Sequence, residues 1–356
     1  MCTNFRAYFV GRGLLGTTSV KQSLQIGPHE IAARAFLAPM AGITDLPFRR
    51  MANRYGAGLV VSEMIACEWL AGGSAEAQLR AEGSAVGHHV VQLAGCEARW
   101  IAEGARVAEA AGADIVDLNM GCPAKCVTTG AAGAALLRDV DNAVRLIEAA
   151  VSAVKIPVTV KMRLGWDDNS IVAPELARRA EAAGVKMVTV HGRTRQQFYK
   201  GKANWRAISR VKAAVTIPVV ANGDLETYED AAAMIAESGA DAVMVGRAAR
   251  GRPWLPGNMS RFIASGARMS DPAIEDQRDN LIELYDAWLG QYGHARGSKE
   301  ARKHIGWALE AAARAVNLSA DWVKNWRAQL LAENAPSRVV LGIHDAFDEL
   351  GWKSAA

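Results

Sequence analysis

Residues 117 to 125 read Asp117-Leu118-Asn119-Met120-Gly121-Cys122-Pro123-Ala124-Lys125: an apolar run that delivers an Asn and a Cys into a turn of Gly and Pro. Gly121 permits backbone angles that other residues avoid and Pro123 stiffens the exit, so the thiol of Cys122 is held at a strand tip, as a reactive group would be. An isolated Cys in a turn is more often a small apolar residue, and it is the company of Cys122 that argues otherwise. Lys161 ends an otherwise apolar run, Val158-Thr159-Val160-Lys161-Met162, where a cation could steady an anionic ring. Gln92 carries both the donor and the acceptor needed to read such a ring's amide edge. Asn222-Gly223-Asp224 and Gly246-Arg247 set small residues with open backbone N–H groups beside a guanidinium, the composition of a phosphate site ahead of a helix. Phosphate plus anionic ring suggests flavin mononucleotide (FMN).

The elements that must position these groups alternate along the chain. Strand candidates are Phe36–Ala38, Leu59–Ser62, Val90–Leu93, Ile115–Asn119, Val158–Met162, Met187–His191, Val219–Asn222 and Ala242–Val245, eight in all. Between them lie stretches rich in helix formers, among them Glu97–Ala111, Asn142–Val154, Pro174–Ala183 and Tyr228–Ser238, with Gly112, Gly184 and Gly239 where helices end. Eight β/α units predict a parallel (β/α)8 barrel, a TIM barrel. A doubly wound open sheet is the alternative, weakened by the lack of a glycine fingerprint after the first strand. In such a barrel chemistry gathers at the C-terminal strand ends, and those ends carry Met40, Glu63, Gln92, Asn119 with Cys122, Lys161 with Arg163, His191 with Arg193, Asn222 with Asp224, and Gly246 with Arg247.

After Pro253 the texture becomes helical, roughly Ile274–Tyr292, Lys299–Ala315, Ala320–Ala332 and Ser337–Leu350. The chain therefore divides into an extension over residues 1–25, a barrel over 26–255 and a helical domain over 256–356. Twelve Lys/Arg face thirteen Asp/Glu from residue 257 onward, so an RNA-facing surface there must be local; Lys299, Arg302 and Lys303 share one helix face and supply a patch. The net charge of +4 permits an anionic partner without demanding one. Five scattered cysteines suit free thiols in a reducing cytoplasm, and Cys122-x3-Cys126 without a second pair or nearby His gives no metal site. No apolar run is long enough to span a bilayer, and no secretory layout opens the chain.

Ala38-Pro39-Met40-Ala41-Gly42-Ile43-Thr44-Asp45, Asn119-Met120-Gly121-Cys122-Pro123, Val160-Lys161-Met162-Arg163, His191-Gly192-Arg193-Thr194-Arg195 and Asn222-Gly223-Asp224 together resemble the tRNA-dihydrouridine synthases, most closely the bacterial B-type. The resemblance runs from about Ile26 into the helical domain, where Arg302-Lys303-His304-Ile305-Gly306-Trp307 also fits. It implies an FMN enzyme that takes hydride from NADPH and reduces the C5–C6 double bond of tRNA uridines. On that resemblance Ala38, Pro39, Met40, Gln92, Lys161, Asn222, Gly223, Asp224, Gly246 and Arg247 bind FMN. His191 contacts flavin or uracil, Asn119 and Arg163 orient the base, and Cys122 gives a proton to C5. Arg193, Arg195 and the loop through Lys202 form a basic platform for tRNA, together with Lys299, Arg302 and Lys303. The chain departs from the family in the loop beyond the catalytic Cys, where Cys126, Thr128 and Thr129 stand at positions often basic. A monomeric cytoplasmic protein without an obligate protein partner is expected. Two rival readings are a dihydroorotate-dehydrogenase-like flavin barrel acting on a free pyrimidine, and a non-enzymatic RNA-binding module.

Overall fold

Short β-rich runs separated by alanine-rich stretches can bury their apolar surface in an open sheet or in a closed ring of strands. A computed structural model, which describes residues 23–355, shows the ring. A hairpin of β1 (Leu24–Ile26) and β2 (His29–Ile31) comes first. Then follow β3 (Ala35–Leu37), β4 (Val60–Val61), β5 (Ile65–Ala66), β6 (His89–Ala94), β7 (Ile115–Met120) and β8 (Val158–Arg163). The last three are β9 (Met187–His191), β10 (Val219–Asn222) and β11 (Ala242–Val245). Apart from the hairpin and β5, which only prolongs the edge of β6, the strands form a closed parallel barrel of eight: β3 pairs with both β4 and β11, and β4 closes on β6.

Period-two alternation sorts the side chains. Phe36, Val90, Ile115, Met187, Val220 and Met244 fill the barrel together with Leu24, Ile26 and Ile31 of the hairpin. The hairpin stoppers the end where strands begin, since His29 bonds the carbonyl of Asp114 just before β7 and Gly27 lies against Pro157 just before β8. Val91, Val116, Val160, Val188 and Val243 face outward into the core shared with the helices. Those helices start and stop on local signals. Asp139 accepts from Asn142 N–H at the head of Val140–Ala153, Thr227 and Asp230 make a reciprocal capping box for Tyr228–Ser238, and Gly239 ends that helix at φ 64°.

The strands begin or end within a few residues of their expected bounds, but β4 is only Val60–Val61, and Glu63 just beyond it accepts from Gly42 N–H. The hairpin escapes a reading of the sequence because its strands are three residues each, and β1 takes in Leu24 and Gln25, which fall within the expected extension. Residues 1–22 of that extension lie outside the described residues. The helix Leu255–Ser265 is also unexpected, its start disguised by Pro256 and Gly257; Gly257 is needed because a Cβ there would sit 2.0 Å from the Tyr55 carbonyl oxygen. Leu255 and Met259 pack into the barrel's outer core, so barrel packing runs past residue 255. The first two expected C-terminal helices are one element, Ile274–Ala315, broken at Gly293 (φ 73°, ψ 163°), and they pack with Ala320–Ala332 and Pro336–Ala355 around Trp288, Ile305, Leu309 and Phe347.

Candidate active site

At the C-terminal ends of the strands the apolar filling gives way to a cavity of about 480 Å3. Ala38, Pro39 and Met40 after β3, Gln92 of β6, and Asn119 and Cys122 at the end of β7 form one side of it. Lys161 and Arg163 of β8, His191 and Arg193 at β9, Asn222, Gly223 and Asp224 at β10, and Gly246 and Arg247 after β11 form the other.

Cys122 is pinned through its backbone on both sides. Its N–H donates to Asn119 Oδ1 at 2.9 Å, as does the Gly121 N–H at 3.1 Å, and its carbonyl accepts from Ala134 N–H at 3.0 Å. Gly133 allows that second contact, because a Cβ there would lie 2.9 Å from the Cys122 carbonyl oxygen and its φ of 59° is left-handed. Burial pushes the thiol's pKa up, Cys126 adds to the rise, and Arg163 and Lys161 oppose it. At neutral pH the group is a protonated thiol, suited to donating a proton rather than to attacking.

Asn119 is part of this scaffold. Its Oδ1 serves the turn, while its Nδ2 donates to Gln92 Oε1 at 2.8 Å; Gln92 Nε2 in turn donates to Asp117 Oδ2 at 2.7 Å. Gln92 thus keeps one N–H and one lone pair free for the cavity. Asp117 is 3% exposed and also accepts from Thr159 Oγ1 at 2.6 Å. The motifs assign it no role, although a carboxylate inside an apolar strand two residues before Asn119 is the signal that could have found it.

Lys161 reaches the cavity from β8, and among the described residues it has no carboxylate within ion-pair distance. Its Nζ donates to the neutral Oδ1 of Asn222 at 3.1 Å, and Asn222 is itself fixed by Nδ2 donating to Met244 O at 2.8 Å. Burial lowers the Lys161 pKa to about 8, Arg163 adds to the fall and Asp117 opposes it. A cation so placed fits an anionic partner brought by a ligand. His191 is held neutral by burial and by Lys161, Arg163, Arg193 and Arg247. Arg193 Nη1 lies 3.3 Å from His191 Nε2, and a guanidinium can only donate, so Nε2 accepts and the ring proton sits on Nδ1.

Two of the four arginines expected to face substrate, Arg163 and Arg193, are largely committed to the fold, each 2% exposed. Arg163 Nε donates to Gly121 O at 2.9 Å and Nη1 to Thr194 O and Phe198 O, tying the loop after β7 to the loop after β9; its Nη2 remains for the cavity. Arg193 uses all five of its N–H groups: on Lys200 O, Gly201 O, His191 Nε2 and both oxygens of Asp224. No donor is left for RNA, and Arg193 instead holds the 200–201 loop. Asp224, at φ 55°, accepts from Arg193 and from Ala203 N–H, so its carboxylate anchors that loop and offers no phosphate contact. Gly223 serves close packing, since a Cβ would meet Ala203 Cβ and His191 Cδ2 at 2.8 Å. The backbone N–H groups of Gly223, Asp224 and Leu225 nonetheless find no acceptor among the described residues and line the cavity beside the turn at Gly246. The N–H groups of Gly246, Arg247 and Ala248 find no acceptor among the described residues, a Cβ on Gly246 would enter open space, and the half-exposed Arg247 leans over Tyr199 at 5.0 Å.

Arg195 lies outside the cavity wall, stacked over Trp166 at 4.8 Å. Lys299, Arg302 and Lys303 are outside it too: Lys303 pairs with Glu300 and approaches Gly42, Arg302 donates to Asn334 at 3.1 Å, and Lys299 is exposed. Met64, Tyr199 and Arg250 also border the cavity, and no motif in the sequence marks them.

The sequence model of the family described as Dihydrouridine synthase (Dus) matches residues 36–338. A probable tRNA-dihydrouridine synthase of Rhizobium leguminosarum bv. phaseoli is 50% identical over 315 residues, covering 88% of this chain and 95% of that protein. A probable tRNA-dihydrouridine synthase of Rhodobacter capsulatus is 51% identical over 315 residues, 88% of this chain and 94% of that one. The tRNA-dihydrouridine synthase B of Xanthomonas axonopodis pv. citri is 45% identical over 285 residues, 80% and 86% respectively. In fold, the chain is similar to a solved structure of morphinone reductase in complex with tetrahydroNAD, with a TM-score of 0.51 at 16% identity over 72% of this chain and 93% of that one.

Proposed function

The chain belongs to the dihydrouridine synthase family, and from there we propose that it binds FMN at the C-terminal face of the barrel and, with NADPH as reductant, reduces particular uridines of tRNA to 5,6-dihydrouridine. One observation carries the reading: Lys161, a cation with no carboxylate in ion-pair range among the described residues, and Cys122, a thiol kept protonated, border the same cavity. The N–H groups of Gly223 and Asp224 and of Gly246, Arg247 and Ala248, with the Arg247 guanidinium, would hold the phosphate, and Ala38, Pro39, Met40, Gln92, Lys161 and Asn222 the ring. FMN supplies the two-electron transfer from NADPH to uracil C6.

Negative charge then develops at C5 and O4 of the uracil, and Cys122 gives its proton to C5. The raised thiol pKa keeps that proton available at neutral pH, and the open cavity mouth lets the thiolate recover one from water. Lys161 lowers the energy of an anionic ring, a role open to a cation whose hydrogen-bond partner, Asn222, is neutral. His191, neutral with Nδ1–H free to donate, and Arg163 Nη2 are placed to hold the base. Contact with RNA phosphates falls to cations outside the cavity, the exposed Lys299 and the partly buried Arg195 and Arg302. The protein acts as a cytoplasmic monomer with tRNA as its partner. The test is to incubate the purified protein with NADPH and unmodified tRNA and to measure dihydrouridine by mass spectrometry. A yellow protein that releases FMN on heating and forms the product supports the reading. Released FAD, or no product after FMN reconstitution, overturns it.

A further inference from the structure

We propose that Asp117 is a positioning residue: through Gln92 and Asn119 it sets the direction of a hydrogen-bond chain that runs from the barrel interior to the backbone of Cys122. The inference rests on the FMN and Cys122 reading above and extends it to a residue that touches neither uracil nor flavin.

The direction follows from the ends of the chain. At the upper end stand the N–H groups of Gly121 and Cys122, which can only donate, so Asn119 must turn its oxygen to them and its NH2 away. That NH2 meets Gln92, which must present its oxygen and direct its own NH2 downward. Below lies Asp117, which accepts on Oδ2 from Gln92 at 2.7 Å and on Oδ1 from Thr159 at 2.6 Å. Its protonation does not alter the sense: a proton on Oδ1 would face the Thr159 hydroxyl, which can turn to accept it, and Oδ2 would still accept from Gln92. Gln92, Asp117 and Thr159 are direct cross-strand partners on β6, β7 and β8, so strand register holds the three in line. An apolar residue at 117 would cost the barrel no desolvated carboxylate, whereas Asp there gives both amides one orientation and the cavity one pattern of donors and acceptors.

The experiment compares Asp117→Leu, Asp117→Asn, Thr159→Val and the double variant Asp117→Asn/Thr159→Val. Each is read by FMN affinity, from quenching of flavin fluorescence on the apoprotein, and by the rate at which iodoacetamide alkylates Cys122 in the apoprotein, from peptide mass spectrometry. Dihydrouridine formation is followed alongside. Asp117→Leu removes the acceptor under Gln92 and should weaken FMN binding about ten-fold and speed Cys122 alkylation several-fold, the scale of one unsatisfied buried polar group. Asp117→Asn should change both less than about three-fold, because Asn keeps its oxygen toward Gln92 and its NH2 toward a Thr159 hydroxyl that turns round. Thr159→Val should likewise have little effect, yet added to Asp117→Asn it should reproduce the Asp117→Leu phenotype. If Asp117→Asn is as damaged as Asp117→Leu, charge and not direction is what matters, and the proposal fails; it fails equally if the double variant behaves as the Asn variant alone. Should Asp117→Leu not fold, the Asn pair decides by itself. Absence of tRNA reduction by the wild type would sink the function above while the two apoprotein readouts still judge this chain.

Discussion

At the scale of the residue, the site separates groups that hold from groups that react. Cys122→Ala leaves the cavity and the Asn119 turn in place, so the variant is expected to bind FMN and to accept electrons from NADPH at a near-normal rate. Its reoxidation by tRNA is expected to slow by on the order of 10²-fold or more, the loss of a positioned general acid. Cys126→Ala, exposed and four residues on, is the internal control, and stopped-flow flavin absorbance measures both. Normal reoxidation of the Cys122 variant would remove the thiol from the mechanism. For Lys161→Met the signs of stability and activity part company. Burial disfavours the ammonium in the apoprotein, so exchange for an apolar chain of similar length is expected to leave the apoprotein's melting temperature unchanged or higher. Flavin reduction by NADPH should nonetheless slow by on the order of ten-fold or more, since the cation serves charge that only the loaded site develops. A melting temperature that falls while reduction stays normal would make Lys161 a structural residue.

Among the elements, the loop after β3 is one of the ties between barrel and helices, beside the ion pairs Arg54–Glu283 and Arg296–Glu76. Asp45 caps the helix Leu46–Arg54 by accepting from Phe48 N–H at 3.2 Å, and its Oδ2 accepts from Trp288 Nε1 at 2.8 Å and Tyr292 Oη at 3.3 Å on the long C-terminal helix. The loop that carries Met40 is therefore tied to the helical region through one carboxylate. Burial pushes its pKa up to about 7, with Glu63 adding to the rise and the hydrogen bonds from Phe48, Trp288 and Tyr292 opposing it. The sign follows from linkage. The folded chain takes up a proton here that the unfolded chain has already released, so the stability this group contributes is fully present below its ordinary value near 3.8 and is lost as pH rises through about 7. Urea unfolding is expected to show stability falling between about pH 4 and 7 in part through Asp45, and Asp45→Asn should flatten that slope. The variant should also be less stable at every pH, because its NH2 faces the Trp288 N–H. A slope as steep as the wild type's would place the titration elsewhere.

Across the whole molecule, the question is which cations RNA meets. Of the three on the shared helix face, Lys303 is paired with Glu300, and Arg302 is steadied by Asn334, so Lys299 is the exposed one. Replacing all three by Ala is expected to weaken tRNA binding and to reduce the slope of log affinity against log salt by about one for each phosphate no longer neutralised, while FMN affinity stays as it was. Lys299→Ala alone should account for the largest single share. Titrations of fluorescent tRNA at several salt concentrations measure both, and an unchanged slope in the triple variant would put the RNA platform on another face.

Features that local chemistry encodes are legible along the chain before it folds. The β/α alternation, the helix stops at Gly112, Gly184 and Gly239, the ring of polar strand ends and the turn that displays Cys122 are set by side-chain period and backbone permission within a dozen residues, and all are present. Which polar atoms stay free is settled only by long-range packing. Arg193 reads as a basic contact until Asp224, 31 residues away, the 200–201 loop and His191 take every N–H it has. Asn222-Gly223-Asp224 reads as a phosphate turn from its small residues, and only the closed barrel shows that Gly223 also makes room for His191 and that the Asp224 carboxylate is taken by Arg193. Asp117 reads as one acid in an apolar strand until strand register sets it under Gln92 and beside Thr159. A hydrogen-bonding group has a fixed capacity, and how that capacity is divided depends on partners that only the closed barrel brings within about 3 Å.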